Sequence, residues 1–392
     1  MTEQINAVAI DRACDYSADA LEVVLRGQLE KLGATEMFRG KRVVIKPNLV
    51  MKTTPEKAAT TNPAVLDAMI RILKETASDI TIAESPGGLY TEAVLRANYR
   101  SNGITEVAEK YGVKLNFDTS SVVMEARGGK TSKLFDIITP IYETDVIVNL
   151  AKLKSHSLTG YSGAVKNYFG TVPGVTKFEM HARFPNYNDF GSMLADLCVM
   201  LTESKPTYNV LDGIIAMEGN GPTGGDPKRL DCIMSGLNPF AVDVAGAYII
   251  DAEGIIMLEE GKKRGVCPTD IEKLTLLGEE CLDAFKSADF KRPDARGSGA
   301  GSLLAILPKM FGGKLNSWLQ PRPQINKSVC VGCGECERSC PVHTIEMRVN
   351  SQGKRQAYIK DDKCIKCYCC QELCPYKAVK IKKNPIIKLI GG

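Results

Sequence analysis

The sequence predicts an α/β protein: a large domain with a mostly parallel, doubly wound sheet, then a small α+β domain organised by cysteine. Three observations predict it. Short apolar runs alternate with helical periodicity from Ile5 to about Leu277, the pattern of a parallel sheet wrapped by helices. Nine of the fourteen cysteines crowd between positions 330 and 374. Between the two regions the text becomes SADFKRPDARGSGAGS, residues 287–302, which reads as a linker. The expected boundaries are 1–285 for the large domain, 286–324 for the linker and the amphipathic segment LLAILPKMFGGKLNSWL, 325–383 for the cysteine domain and 384–392 for a tail.

In chain order, INAVAI is a strand, and Ser17 caps a helix running to about Leu32, with Gly33 as its stop. RVVIKPNLV is a strand that leaves through a loop. Asn62-Pro63 opens a helix with Val65, Leu66, Met69, Ile70 and Leu73 on one face. DITIAESPGG is a strand ending in a glycine-rich turn, a helix runs from about Thr91 to Tyr111, and VKLNFD is a fourth strand. Ligands of such sheets bind beyond the carboxyl ends of the strands, where Lys46, Asn48, Glu84, Gly87 and Gly88 fall. The strand Val146–Leu150 delivers Lys152, Lys154 and His156 in the same way.

Residues 156–184 read as a long loop rich in glycine, with Lys166, Asn167, Lys177 and His181. A loop of that length inside a domain implies a function, and lysines, histidines and loop amides suit an anion: a carboxylate, a phosphate or a reduced cofactor. The bland alternative is a solvated basic surface. A helix follows from Asp189 to about Ser204. The strand YNVLDGIIAME carries Asp212 and Glu218 into a loop with Asn220, LDCIMSG is another strand, and NPFAVDVAGAYII is a helix. Asp243, inside that apolar helix, is either a capping and packing device or a site residue facing histidine or lysine. The last strand lies near Leu274–Leu277.

Cys330, Cys333, Cys336 and Cys340 follow the spacing C-x2-C-x2-C-x3-C-P, and Cys364, Cys367, Cys370 and Cys374 repeat it, with Pro341 matching Pro375. This is the bacterial two-cluster iron–sulfur run, in which the fourth cysteine of each run ligates the other cluster. The assignment is Cys330, Cys333, Cys336 and Cys374 for one 4Fe–4S cluster, and Cys364, Cys367, Cys370 and Cys340 for the second. Zinc sites use pairs of cysteines rather than triplets with a distant fourth. Gly332 and Gly334 suit a loop whose amides approach sulfur. Cys369 breaks the spacing and reads as a non-ligand, with a shift of register as the alternative. The small domain is therefore expected to be ferredoxin-like. The scattered Cys14, Cys198, Cys232, Cys267 and Cys281 read as buried, inert thiols.

Composition excludes several classes. A net charge of +4 without a recognition motif does not argue for nucleic acid. No run approaches the ~18 apolar residues of a membrane span, and the opening MTEQINAVAIDRACDYS does not resemble a signal peptide. Abundant thiols without an export signal point to a reducing cytoplasm. ESPGG lacks the full G-x-G-x-x-G pattern and no Walker lysine motif is present, so no motif supports an additional flavin or other cofactor.

The runs IKPNLV, TTNPAV, ESPGG, KLKSH, TGYSGAVKNYFGTVPG, DGIIAMEGNGPTGG and NPFAVD, from about Arg42 to Ile250, resemble the family called domain of unknown function 362, in its form fused to a C-terminal ferredoxin. The family's usual lysine-threonine-histidine triplet reads Lys154-Ser155-His156 here, which keeps a hydroxyl. The resemblance implies the fusion architecture and carries no settled activity. The order GAVKNYFGTVPG…H is also similar to a segment of the nickel-pincer lactate racemase superfamily, in which a histidine after a Pro-Gly turn acts in proton and hydride chemistry. His181, after Pro173-Gly174, is the corresponding position. The superfamily's other features are not evident, so neither nickel nor its cofactor is expected.

Two functions are expected from these readings. The first is an iron–sulfur oxidoreductase whose clusters deliver electrons to an anionic ligand or substrate on the α/β domain. His156, His181 and Lys166 are its candidate catalytic residues, since histidine titrates near neutrality. Lys46, Asn48, Lys152, Lys154, Asn167, Lys177, Asp212, Glu218 and Asp243 are its candidate ligand-binding residues. The alternative is a ferredoxin-type carrier whose large domain docks a partner enzyme or senses a ligand. Lys360, Lys363, Lys366, Lys377 and Lys380 around the second cysteine run would present a basic surface to an acidic redox partner.

Overall fold

The computed structural model describes residues 6–278, 280–296 and 320–382. In chain order its strands are β1 (Ala7–Arg12), β2 (Arg42–Lys46), β3 (Asp79–Ile82), β4 (Lys114–Leu115), β5 (Ser121–Glu125), β6 (Leu134–Ile138), β7 (Val146–His156), β8 (Gly160–Ser162), β9 (Thr207–Glu218), β10 (Asp226–Gly236), β11 (Thr275–Leu277), β12 (Arg322–Ile325), β13 (Ile345–Val349), β14 (Arg355–Ile359) and β15 (Val379–Lys382). A nine-stranded sheet runs β11-β1-β10-β9-β7-β2-β3-β4, with β8 hairpinned onto β7. β2, β3, β4, β7 and β9 are mutually parallel, as are β1 and β11, whereas β10 runs antiparallel to both β1 and β9. The sheet is thus mostly parallel, as its strand–helix alternation predicts.

Strand alternation divides the core in two. Ala7, Ala9, Val43, Ile45, Val146, Val148 and Leu150 face the helices Ala18–Lys31 and Pro63–Leu73. Val8, Ile10, Val44, Ile147, Ala151 and Leu153 face the helices Tyr187–Ser204 and Pro239–Ile249. The sheet is therefore wrapped on both faces, which is why β7 is buried along its whole length. Each large apolar side chain buried this way contributes about 1.5–3 kcal/mol. Both expected caps form: Ser17 accepts from the Ala20 amide and Asn62 from the Ala64 amide.

Several expectations are corrected. β7 does not stop at Leu150 but runs to His156, so Lys152, Lys154 and His156 lie within the strand. The expected loop 156–184 is folded into β8, the short helix Ala164–Asn167, a 3-10 turn at Tyr168–Thr171 and the helix Gly174–Arg183. Most of it is buried, so it is no solvated surface. The helix expected from Thr91 to Tyr111 breaks into Glu92–Ser101 and Ile104–Tyr111, because Gly103 turns left-handed with φ 72°. VKLNFD supplies only the two residues of β4. β5 and β6 form an antiparallel hairpin outside the expected elements. Residues 286–296 are packed: Glu218 pairs with Lys291 at 3.0 Å, and Asn220 bonds Asp294 at 2.8 Å. The amphipathic segment and the tail lie outside the described residues.

The small domain is α+β. β12 pairs with β15, β13 pairs with β14, and the short helices Glu335–Arg338 and Cys369–Glu372 each carry cysteines. It sits on the carboxyl ends of the parallel strands. Thr223 donates to the Glu372 carbonyl at 2.6 Å, Gln371 to the Asn220 carbonyl at 2.9 Å and Lys377 to the Gly225 carbonyl at 3.3 Å. Gly87 lets the Leu373 side chain approach: a Cβ at position 87 would stand 2.9 Å from it.

Candidate functional site

The two cysteine runs repeat in backbone as well as in text. Gly332 and Gly334 adopt φ 75° and 80°, and the corresponding Lys366 and Tyr368 adopt 55° and 63°. A side chain is strained in that region, so the second run accepts strain to form the same loop. His343 and Lys377, three residues after each fourth cysteine, also match, at 50° and 52°. The thiols of the two runs approach one another. Cys336 has Cys374, Cys330 and Cys333 as its thiol neighbours, and burial pushes it up to about 11. Cys364 neighbours Cys367 and Cys340, and burial raises it as well. Cys330, Cys333, Cys336 and Cys374 line a small pocket of about 20 Å³ closed by Ile325, Met347, Ala357 and Val379. The Thr344 amide donates to the Cys340 sulfur and the Ala378 amide to the Cys374 sulfur, each at 3.3 Å. Four free thiols, an apolar shell and N–H donors to sulfur are the donor set of a 4Fe–4S cluster. Cys369 lies buried beside Cys367 and Cys370, outside the spacing of either run.

Between the sheet and the cysteine domain lies a cavity of about 70 Å³, room for roughly five waters. The large domain lines it with Asn48, Glu84, Ser85, Lys154, Lys166, Asn167, Phe169, Lys177, Phe178 and His181. The cysteine domain closes it with Cys369, Glu372 and Leu373. Glu84 is buried at the end of β3 and pairs with Lys46 behind it. Gly170 makes room for that carboxylate, because a Cβ there would collide with it. Burial pushes the Glu84 carboxyl up to about 7 despite Lys46 and Lys177. Burial lowers Lys154 and Lys177 to about 7 and also lowers Lys166. Lys154 donates to Asn48 Oδ1 at 2.6 Å and to the Ala59 carbonyl at 2.7 Å, and Lys177 donates to the carbonyls of Ser85 and Pro86. His181 stacks on Phe190 at 4.3 Å, and burial, then Lys166, drives it down to about 3.

An amide ladder orients the floor of the cavity. Asn48 Nδ2 donates to Asn167 at 2.8 Å, Asn167 Nδ2 to Asn149 at 2.7 Å, and Asn149 Nδ2 to Asn209 at 2.9 Å. It ties β7 and β9 to the helix that carries Lys166.

Residues 43–248 match the family described as domain of unknown function (DUF362), which is more than half of the chain. The chain belongs to that family. Residues 329–378 of this DUF362 protein match a 4Fe–4S dicluster domain, an electron-transfer module that contains both quartets. A thylakoid-associated protein of Synechocystis sp. is 29% identical over 279 residues, 68% of this chain and 82% of its own length. Among solved structures, a Thermotoga maritima protein aligns with a TM-score of 0.40 at 12% identity over 60% of this chain. The lactate racemase apoprotein of Thermoanaerobacterium thermosaccharolyticum aligns with 0.31 at 16% identity over 54%. The chain spans 59% and 52% of those two proteins. Among the described residues, no helix is long and apolar enough to cross a membrane.

Of the candidates in this DUF362 domain, the cavity gathers Asn48, Lys154, Lys166, Asn167, Lys177 and His181, with Lys46 one step behind. Others lie elsewhere. Lys152 is sealed against Asp212 at 2.9 Å and the Tyr16 hydroxyl at 2.8 Å. Glu218 holds Lys291. Asp243 accepts from the amides of Ala164 and Val165 at 2.6 and 2.9 Å, so it caps the helix that presents Lys166, and among the described residues it forms no ion pair with a histidine or lysine. His156 accepts at Nδ1 from the Leu158 amide at 3.1 Å, which puts its ring proton on Nε2, 3.9 Å from Glu372. The basic surface around the second run is thinner than its sequence. Lys366 is buried, Lys360 pairs with Glu346 at 2.8 Å and Lys377 bonds Gly225.

Sequence reasoning named Glu84 only as a strand-end residue and gave Ser85, Phe169 and Glu372 no role. ESPGG held the signal for the first two. Glu372 had none, because it reaches the cavity only through the docking of the second domain.

Proposed function

We propose that this protein is an oxidoreductase in which two 4Fe–4S clusters deliver electrons to a small anion held in the lysine-walled cavity. One observation carries the reading: the cavity's lid is Cys369–Leu373, the segment that also contains Cys370 and adjoins Cys374. An electron leaving either quartet would have a short route to anything held beneath that lid. When bound, the clusters supply electrons one at a time. Lys154, Lys166 and Lys177 would hold and polarise the anion. Glu84, poised near neutrality, would give or take the proton that accompanies reduction. His181 would act as a neutral hydrogen-bonding partner. Liganding thiolates call for a reducing compartment, and the cytoplasm is the proposed one. A one-electron redox protein would charge the clusters, and its surface need not be strongly acidic given the few free lysines around the second run.

A plain carrier needs no buried lysine cavity behind its clusters. The test is anaerobic. Protein with photoreduced clusters is challenged with a panel of reducible small anions, α-keto and unsaturated carboxylates with and without a phosphate group, while its iron–sulfur absorbance is followed. Reoxidation by one class of anion, slowed by roughly 100-fold in Lys166→Met, supports the proposal. Clusters that exchange electrons only with proteins would establish the carrier instead.

A further inference from the structure

We infer that the cavity takes a dianion, a small molecule carrying two negative charges such as a dicarboxylate or a phosphate, with Ser85 as an unassigned binding residue. The inference rests on the cavity being the ligand site, as proposed above. Its first support is a charge count. Four lysines, Lys46, Lys154, Lys166 and Lys177, surround or back the cavity, against two carboxylates, Glu84 and Glu372. Glu84 is taken by Lys46, and Glu372 faces His156 while attracting Lys166. Among the described residues, no carboxylate lies within ion-pair distance of Lys154, Lys166 or Lys177; the bonds of Lys154 and Lys177 all run to neutral oxygens. Buried charge without a counter-ion is costly, and a bound anion supplies the counter-ion. Once binding has protonated all four lysines, a monoanion would leave one charge of the excess uncompensated.

The second support is independent of charge. Ser85 is fully buried in the cavity wall, and among the described residues its Oγ has no hydrogen-bond partner. Its amide donates to the Gly170 carbonyl and its carbonyl accepts from Lys177, so the residue is fixed while its hydroxyl stays unused. Buried hydroxyls are normally paired, and a ligand oxygen would complete this one. The enclosed volume suits five to seven non-hydrogen atoms, on the order of phosphate or malonate.

Binding must then be coupled to protons. Lys154 faces Lys166, Glu372, Lys152 and Glu84, and Lys177 faces Glu84, Lys46, Lys166 and Glu372. Burial lowers both to about 7, and a dianion between them would raise both. At about pH 8 binding should therefore take up about one to two protons.

The test is calorimetry on the anaerobically reconstituted full-length protein at about pH 8, in buffers of different ionisation enthalpy. The probes are inorganic phosphate, malonate and, as the monoanion, acetate. The inference predicts that phosphate or malonate binds at least about tenfold tighter than acetate, with net proton uptake. Ser85→Ala should weaken that binding about fivefold or more without changing iron content. Phosphate binding alone would identify a phosphate site, and malonate binding alone a dicarboxylate site. Equal binding of acetate, binding without proton uptake, or no binding of either dianion would overturn the inference. If a dianion binds but no reducible anion of its class, such as an α-keto or unsaturated carboxylate, reoxidises a reduced cluster, the dianion site stands and the oxidoreductase reading falls. If only reducible monoanions reoxidise the clusters and neither dianion binds, the reverse holds.

Discussion

His156 Nε2 stands 3.9 Å from Glu372 Oε2, joining the end of the central strand β7 to the helix that carries Cys370. The large domain thereby reaches the cluster segment through a side chain whose tautomer is fixed by its own turn. Replacing His156 by alanine is expected to leave iron content at the wild-type level. It should slow electron delivery to the cavity by roughly tenfold or more. Iron assay and anaerobic reoxidation kinetics on the same sample check this; unchanged kinetics would remove His156 from the functional site.

His181 is buried and depressed from 6.5 to about 3. Between those values the unfolded chain binds the proton and the native protein does not. Stability therefore falls as pH drops from about 6.5 toward 3, by at most about 1.4 kcal/mol per pH unit from this group. His181→Phe, which keeps a ring to stack on Phe190, should flatten that acid limb in chemical denaturation curves. An unchanged slope would show that His181 is accessible to protons in the native state.

Cys369 and Cys374 are separated by five positions and have opposite expected roles. Cys374→Ala removes a thiol from the quartet of Cys330, Cys333 and Cys336, and iron should fall by up to about half. Cys369→Ser should retain full iron and alter only the redox behaviour of the cluster near Cys367, because it changes the polarity beside that sulfur. Iron analysis with electron paramagnetic resonance of the reduced protein tells these apart. Loss of a cluster in Cys369→Ser would mean that the second run binds in shifted register.

The amide ladder through Asn48, Asn167, Asn149 and Asn209 makes a stability prediction. Asn167→Leu leaves Asn48 and Asn149 each short of a partner in a buried setting, at a cost of about 1–3 kcal/mol. Denaturant midpoints measure it, and a neutral effect would mean that water replaces the side chain.

Much of this was legible in the sequence where the signal is local. Short apolar runs located β1, β2 and the start of β7, the Ser17 and Asn62 caps formed, and the cysteine spacing marked the 4Fe–4S dicluster domain. The failures share one cause. Lys152 and Lys154 were read as strand-end residues because an all-buried strand is not expected to contain lysine, yet the alternation simply continues through Val148, Leu150, Lys152 and Lys154 on one face. The segment after His156 looked like a loop because glycine and polar residues dominate it. Its glycines are instead needed where backbone meets Glu84 and Asp243. Asp243, Asp212 and Glu218 could not be sorted from site residues, because their partners (backbone amides, Tyr16 and Lys291) are distant in sequence or unmarked in it. Glu372 and Leu373 became cavity residues only when the second domain docked.

The central claim is that electrons from the clusters are used in the cavity beneath Cys369. An anaerobic crystal structure of the iron-loaded protein as isolated tests it most directly. The account predicts a small anion within hydrogen-bond distance of Lys166 and Ser85, in contact with the lid formed by Cys369 and Leu373. A cavity holding water alone, with Lys166 paired to Glu372 and the ligand bound elsewhere, would contradict it.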